Sequence, residues 1–256
     1  GTIQGPLREV VDVSNILEVE HLTKRFGGLT AVSDVSFTVR PGEIVGILGP
    51  NGAGKTTLFN LLTGFIPPDE GRVSFMGREI RGLAPHRIVR LGISRTFQLC
   101  RPFVGMSVLE NVKVGSLAQP APPQGREARA RELIAQVGLA GKEDMAVEVM
   151  SYGDQRRLEI ARALATGPKL LLLDEPFAGL GAGEIADLSA LITKIHAETG
   201  LTVLLIEHKL HEFMKLVERV IALDFGEMIA DDVPERIVAH PRVIEAYIGG
   251  NAPDTE

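Results

Sequence analysis

Two short stretches hold residue types at spacings that could do phosphate chemistry. The first, GPNGAGKT (Gly49–Thr56), fits G-x-x-x-x-G-K-[ST] and lies between an apolar run and a helical pattern. Gly49, Gly52 and Gly54 let the backbone come close to a ligand. The N–H groups of a loop running through Pro50, Asn51, Ala53 and on to Thr57 can then surround the β- and γ-phosphates of a nucleotide. Lys55 offers a cation to those phosphates, and the Thr56 hydroxyl can face Mg²⁺. A helix starting at the loop adds its positive end.

The second stretch is LLLLDE (170–175). A carboxylate at the end of a buried strand, Asp174, can hold the shell of a Mg²⁺ ion. The next residue, Glu175, is placed to polarise a water for attack on the γ-phosphate. Acids at a strand end are common, so this signal gains its weight from the loop.

The elements that must position these groups follow from periodicity. ILEVEHLTKRF (16–26) and VSFTV (35–39) alternate apolar and polar residues, as half-buried antiparallel strands do. IVGIL (44–48), LLLLD (170–174) and LTVLLIEH (201–208) are continuous apolar runs, the pattern of strands covered on both faces. Helices are expected from Lys55 to Gly64, over 126–139, from Ser151 to about Gly167, and over 184–200. Residues 97–125, with QPAPPQG, read as a surface loop. RVIALDFGEMIADD reads as a hairpin, followed by a short helix. The expectation is an α/β fold with a mainly parallel core sheet, an antiparallel β subdomain at the N-terminal end, and a helical lobe inserted at about 97–166. Residues 1–15 are expected to be a flexible leader, 16–250 one domain, and 251–256 a tail.

Bulk properties narrow the classes. The 256 residues are 45% hydrophobic and 23% charged, ordinary globular composition, with room for a sizeable core. A net charge of −6 and no basic patch argue against nucleic acid as a partner. The single cysteine, Cys100, allows no intrachain disulfide, which fits a reducing compartment. No run of about 18 apolar residues marks a membrane span, and GTIQGPLREV lacks the apolar core of a signal peptide. The expectation is a soluble, cytoplasmic chain.

MSYGDQRRLEIARAL (150–164), closely followed by LLLLDEP, resembles the signature segment of ATP-binding-cassette (ABC) ATPases, a branch of the P-loop NTPases. Met150-Ser151-Tyr152-Gly153-Asp154 stands where that family has Leu-Ser-Gly-Gly-Gln. The resemblance spans nearly the whole chain. It implies that Phe26 in RFGGLTAV stacks on adenine, that Gln98 in RTFQ contacts Mg²⁺ and water, and that His208 in LLIEH contacts the γ-phosphate. It implies ATP and Mg²⁺ as cofactors. It also implies a head-to-tail pair of cassettes, in which Ser151 and Gly153 of one chain meet the ATP held by the phosphate loop of the other. VLENV, DEPFAGL, the Tyr152 variant and PRVIEAYIG look like the G-type ATPase subunit of branched-chain amino-acid importers. Related cassettes serve urea, amides or aromatic acids, and the permease and a periplasmic or lipoprotein solute-binding protein choose the cargo. The implied location is peripheral, on the cytoplasmic face of the inner membrane, against transmembrane permease subunits. LCRPFVGMSV, with Arg101, Phe103 and Val104, is either the patch for such a subunit or a loop anchored by core side chains.

Two departures stand out: Gly181 replaces the aspartate of the usual SALD run, and Asp154 places an acid in the first turn of the signature helix. Ser151-x-x-Asp154 nearly spells a capping box, so the acid is expected to serve the helix start and turn away from nucleotide. A DNA-repair cassette would need a long coiled-coil insert before the signature, and translation-type members carry two cassettes. The presence of both Glu175 and His208 argues against a non-hydrolysing binding module.

Overall fold

The computed structural model describes residues 14–249, so most of the expected leader and all of the expected tail lie outside the described residues. The three apolar runs form β3 (Ile44–Leu48), β7 (Leu170–Asp174) and β8 (Thr202–Ile206), each buried throughout. They share a six-stranded sheet with β6 (Ile93–Arg95), β9 (Arg219–Asp224) and β10 (Glu227–Asp232), in the order β10-β9-β3-β8-β7-β6. Every pairing is parallel except β10 on β9, the hairpin read from RVIALDFGEMIADD.

Because successive side chains of a strand point to opposite faces, the runs divide between two cores. Ile44, Leu171, Leu173, Val203 and Leu205 enter one apolar cluster; Val45, Ile47, Leu170, Leu172, Leu204 and Ile206 enter the other. The second cluster also takes in β1 (Leu17–Phe26), β2 (Leu29–Val39) and β4 (Glu70–Phe75), which with β5 (Arg78–Glu79) form an antiparallel sheet in the order β2-β1-β4-β5. Its helices are α1 (Lys55–Leu62) and α2 (Pro85–Leu91).

The first cluster holds α3 (Val108–Gly115), α4 (Arg126–Gln136), α5 (Tyr152–Ala165), α6 (Ala182–Thr199) and α7 (Leu210–Leu216). The apolar face read from 126–139 is buried at Leu133, Ile134 and Val137. The last helices among the described residues are α8 (Pro234–Ile237) and α9 (Pro241–Gly249).

One expectation is corrected. Residues 97–125 are not wholly loop, because α3 lies within them. Ser107 caps it: the Glu110 N–H donates to Ser107 Oγ at 3.2 Å, and Glu110 Oε2 accepts from the Ser107 N–H at 2.7 Å. This reciprocal S-x-x-E box is a helix-start signal, hidden in sequence by the proline-rich stretch beyond it. The short elements α2, β6 and α7 were also not anticipated.

Candidate nucleotide site

The phosphate loop joins β3 to α1. Gly54 precedes the helix with φ 99°, a left-handed conformation that disfavours a Cβ, and the Ala31 carbonyl fills the space a Cβ would need. No side chain caps α1, so the N–H groups of its first turn, from Lys55 through Thr57, face the loop's concavity without a side-chain acceptor. Lys55 is folded back on its own loop: Nζ donates to the Gly49 carbonyl at 2.5 Å and to the Pro50 carbonyl at 2.9 Å. Burial pulls the Lys55 pKa down, and the charges of Glu175 and Asp174 oppose that shift. An anion brought into the loop restores what burial removed.

Glu175, immediately after β7, has a positive φ of 48°. That is a strained conformation for a residue with a side chain. Its carboxylate is held at both oxygens. Gln98 Nε2 donates to Oε2 at 2.8 Å, and His208 Nε2 lies 2.7 Å from Oε1. Two candidate residues from distant parts of the chain thus converge on the carboxylate of a third.

Asp174 is nearly sealed and paired with Arg95, whose Nη2 is 2.5 Å from Oδ2. The same guanidinium donates to Asn60 Oδ1 on α1 at 2.6 Å, and its Cζ lies 5.5 Å and 5.1 Å from the ring centres of Phe59 and Phe97. Oδ1 of Asp174 accepts no hydrogen bond among the described residues. The donors that could face Mg²⁺ are therefore the Thr56 hydroxyl, this oxygen, and the Gln98 amide oxygen left over when Nε2 binds Glu175. All are hard oxygen donors, as Mg²⁺ requires. Among the described residues no cluster of three or more His, Cys, Asp or Glu side chains could hold a metal by itself.

Two cavities meet at Thr56. One, of about 400 Å³, is lined by Phe26, the loop from Asn51 to Thr57, Glu175 and His208. Phe26 is half exposed there, with Lys24 Nζ 5.5 Å from its ring centre. The other, of about 640 Å³, is lined by Thr56, Gln98 and Asp174, and opens toward Phe97, Leu99 and Phe103. Gly49 and Pro50 line neither; their carbonyls accept Lys55 Nζ. Ser151 and Gly153 also line neither. They sit at the start of α5, where the Ser151 hydroxyl accepts the Asp154 N–H at 3.2 Å and a Cβ on Gly153 would stand 2.6 Å from Glu184 Oε1.

The two departures have local structural answers. The Asp154 carboxylate pairs with Lys142 Nζ. Gly181 caps α6, and its N–H donates to Glu184 Oε2 at 3.0 Å. Phe103 and Val104 are exposed, together with Phe97, Leu99 and Met106, so the reading in which they anchor a loop in the core is set aside. Arg162 lies 4.4 Å over the Phe103 ring and donates to the Arg101 carbonyl at 2.8 Å.

The family model described as "ABC transporter" matches residues 32–178, more than half the chain. The chain belongs to the ABC transporter family of ATPases. The cassette also matches, over residues 227–253, the model described as "Branched-chain amino acid ATP-binding cassette transporter". It is 44% identical over 249 residues to the high-affinity branched-chain amino acid transport ATP-binding protein BraF of Pseudomonas aeruginosa, covering 91% of this chain and 98% of that one. It is 40% identical, with the same coverage, to LivG of Escherichia coli K12, which carries the same description. The lipopolysaccharide export system ATP-binding protein LptB of Haemophilus influenzae is 38% identical over 236 residues, covering 92% of the cassette and 98% of that protein. Among solved structures, the ADP conformation of MJ1267, an ATP-binding cassette of an ABC transporter, superposes with TM-score 0.83 at 33% identity, over 92% of this chain and 99% of that one. The dimeric post-hydrolysis state of MJ0796 bound to ADP and Pi superposes with TM-score 0.76 at 27% identity, over 85% and 98%. The cassette binds and hydrolyses ATP, as its family does.

Sequence reading missed several residues of the site. Glu207, buried before His208, accepts the Phe177 N–H at 2.5 Å and, through its other oxygen, the N–H groups of His208 at 2.8 Å and Lys209 at 3.3 Å. Burial raises its pKa against these three N–H donors, and the charge of Glu175 adds to the rise. Arg156, fully buried in α5, donates to the carbonyls of Phe97 and Gln98 and to the Tyr152 hydroxyl, tying the signature helix to the Gln98 loop. Phe225, at a hairpin turn with φ 43°, lines the cleft with Phe26 and is 86% exposed. A charged residue inside an apolar run, Glu207 after LLI, is the signal that could have marked the first of these.

Proposed function

We propose that the cassette is the ATP-hydrolysing subunit of an importer for branched-chain amino acids. The observation that carries the hydrolytic part is the convergence of Gln98 and His208 on Glu175 beside the phosphate loop. The cargo rests on the likeness to BraF and LivG and on the match at 227–253. The greater identity to these than to the lipopolysaccharide exporter supports the importer reading.

In this reading residues 16–250 act as one cassette, with the helical lobe at 97–166. Phe26 stacks on adenine, Lys55 and the N–H groups from Asn51 to Thr57 hold the phosphates, and Gly49 and Pro50 shape the loop. Thr56, Asp174 and Gln98 would hold Mg²⁺, which would neutralise charge on the phosphate oxygens. Glu175 accepts a proton from the attacking water. Gln98 and His208 each occupy one site on a different oxygen of its carboxylate and leave further lone pairs to take the proton. Ser151 and Gly153 lie off the cleft and complete the site of a second cassette, where the start of α5 offers N–H groups to the γ-phosphate. Phe97, Leu99, Phe103 and Val104 receive a permease subunit at the cytoplasmic face of the membrane, and a solute-binding protein delivers cargo from the other side.

The test is transport. The cassette, co-expressed with the permease subunits that co-purify with it and reconstituted with their solute-binding protein, should take up leucine, isoleucine or valine only with ATP inside. ATP turnover stimulated by urea, an amide or an aromatic acid, and not by these amino acids, would sink the cargo assignment.

A further inference from the structure

The stretch PRVIEAYIG forms α9 and has no part in the chemistry assigned above. One of its side chains nonetheless reaches the start of the phosphate loop. The Gly49 N–H donates to the Tyr247 hydroxyl at 3.1 Å, across 198 positions of sequence. Gly49 is buried and closely surrounded: a Cβ there would stand 2.9 Å from that of Ala53 and collide with the Leu223 carbonyl. A buried N–H in such a place needs a partner, and Tyr247 supplies it. The carbonyl of the same residue accepts Lys55 Nζ at 2.5 Å. Gly49 is therefore held at its N–H by α9 and at its carbonyl by the loop's own lysine.

The helix is well placed to hold it. Val243 is buried, and Ala246 and Tyr247 pack against the cluster that includes Leu48, Ala222 and Ile229. The ring thus bridges the core and the loop. Burial pushes the phenol up to about 12, so the hydroxyl is neutral through the working pH range and the contact does not titrate.

We propose that Tyr247 is a positioning residue for the phosphate loop. By accepting the Gly49 N–H it fixes the Gly49 and Pro50 carbonyls that hold Lys55, and the C-terminal helix thereby sets the affinity of the loop for nucleotide. A phenylalanine would fill the same space in the core, so the hydroxyl separates this role from plain packing. The proposal rests on the reading of Gly49–Thr56 as the nucleotide loop.

The experiment compares the full chain with Tyr247→Phe, using AMP-PNP with Mg²⁺ as the probe and amide hydrogen exchange as a second readout. AMP-PNP should bind about three- to ten-fold more weakly, the factor that one lost hydrogen bond produces. Exchange should quicken across 49–57 and stay unchanged in β8, with the melting temperature lowered by the few degrees that one unpaired buried N–H produces. Equal affinity and equal exchange in the loop would overturn the role of Tyr247. So would exchange quickened alike in the loop and in β8, because the residue would then serve the core alone. A wild-type chain that bound no AMP-PNP would remove the loop reading itself, and this proposal with it.

Discussion

His208 Nε2 lies 2.7 Å from Glu175 Oε1, and Gln98 Nε2 donates to the other oxygen at 2.8 Å. Glu175→Gln keeps the shape and removes the base. Turnover should fall about 10²- to 10⁴-fold, the usual contribution of a general base, while ATP still binds and a nucleotide-bound dimer accumulates. Steady-state hydrolysis and gel filtration with ATP read both effects. Normal turnover would remove Glu175 from the role of base.

The backbone at Glu175 gives a second, independent measurement. Its φ of 48° is costly for any residue with a Cβ and easy for glycine. Glu175→Gly and Glu175→Ala should both be inactive. Glycine should be the more stable by roughly 0.5–1 kcal/mol, once its greater freedom in the unfolded chain is set against the strain it relieves. Denaturant unfolding of the two variants decides this; alanine equal to or above glycine would mean that position 175 is not strained.

Lys55 is buried and satisfied by two carbonyls when nothing else is bound. Lys55→Ala should therefore fold, because the alanine leaves no buried charge, yet lose ATP binding by at least about ten-fold, since hydrogen bonds to charged groups contribute about 1.5–3 kcal/mol each. Retained affinity in a titration with a fluorescent nucleotide would show that the phosphate loop is misread.

What could be read in advance was local. The phosphate loop and the Asp174–Glu175 pair are contiguous, and β3, β7 and β8 announce themselves as apolar runs. Even the division of Leu170 and Leu171 between opposite faces follows from the two-residue period of a strand. β6 has three residues and α7 has seven, too short for a period to show. The contacts that hold the site in shape join distant positions: Arg95 to Asp174, Arg156 to Gln98, Tyr247 to Gly49. Each depends on which strand lies beside which, and no local pattern carries that order.

Asp154 illustrates how such a contact changes a reading. As an isolated acid at the start of the signature helix it would repel a phosphate, but Lys142 neutralises it from the segment after α4, and Ser151 caps the helix without it. Asp154→Gln should alter ATPase activity only a few-fold, and stability by about 1 kcal/mol or less, as for a partly exposed ion pair. A hundred-fold change in activity would place Asp154 within the field of the phosphate bound by the partner cassette.

Arg95 makes the sharpest structural prediction, because the carboxylate it neutralises is as buried as itself. Removing the cation in Arg95→Met strands Asp174 without its ion-pair partner and also strips Asn60 of its donor. The nucleotide-free chain should lose about 3–5 kcal/mol, the cost of breaking a buried pair from one side. On the proposed function, Mg²⁺ with AMP-PNP should supply a new positive partner near Asp174. It should raise the melting temperature of Arg95→Met by more than it raises that of the wild type. Thermal unfolding with AMP-PNP in EDTA, and again in excess Mg²⁺, separates the metal's part from the nucleotide's. An equal Mg²⁺-dependent increment in both proteins would mean that Asp174 does not face the ion and that its pairing with Arg95 is structural only.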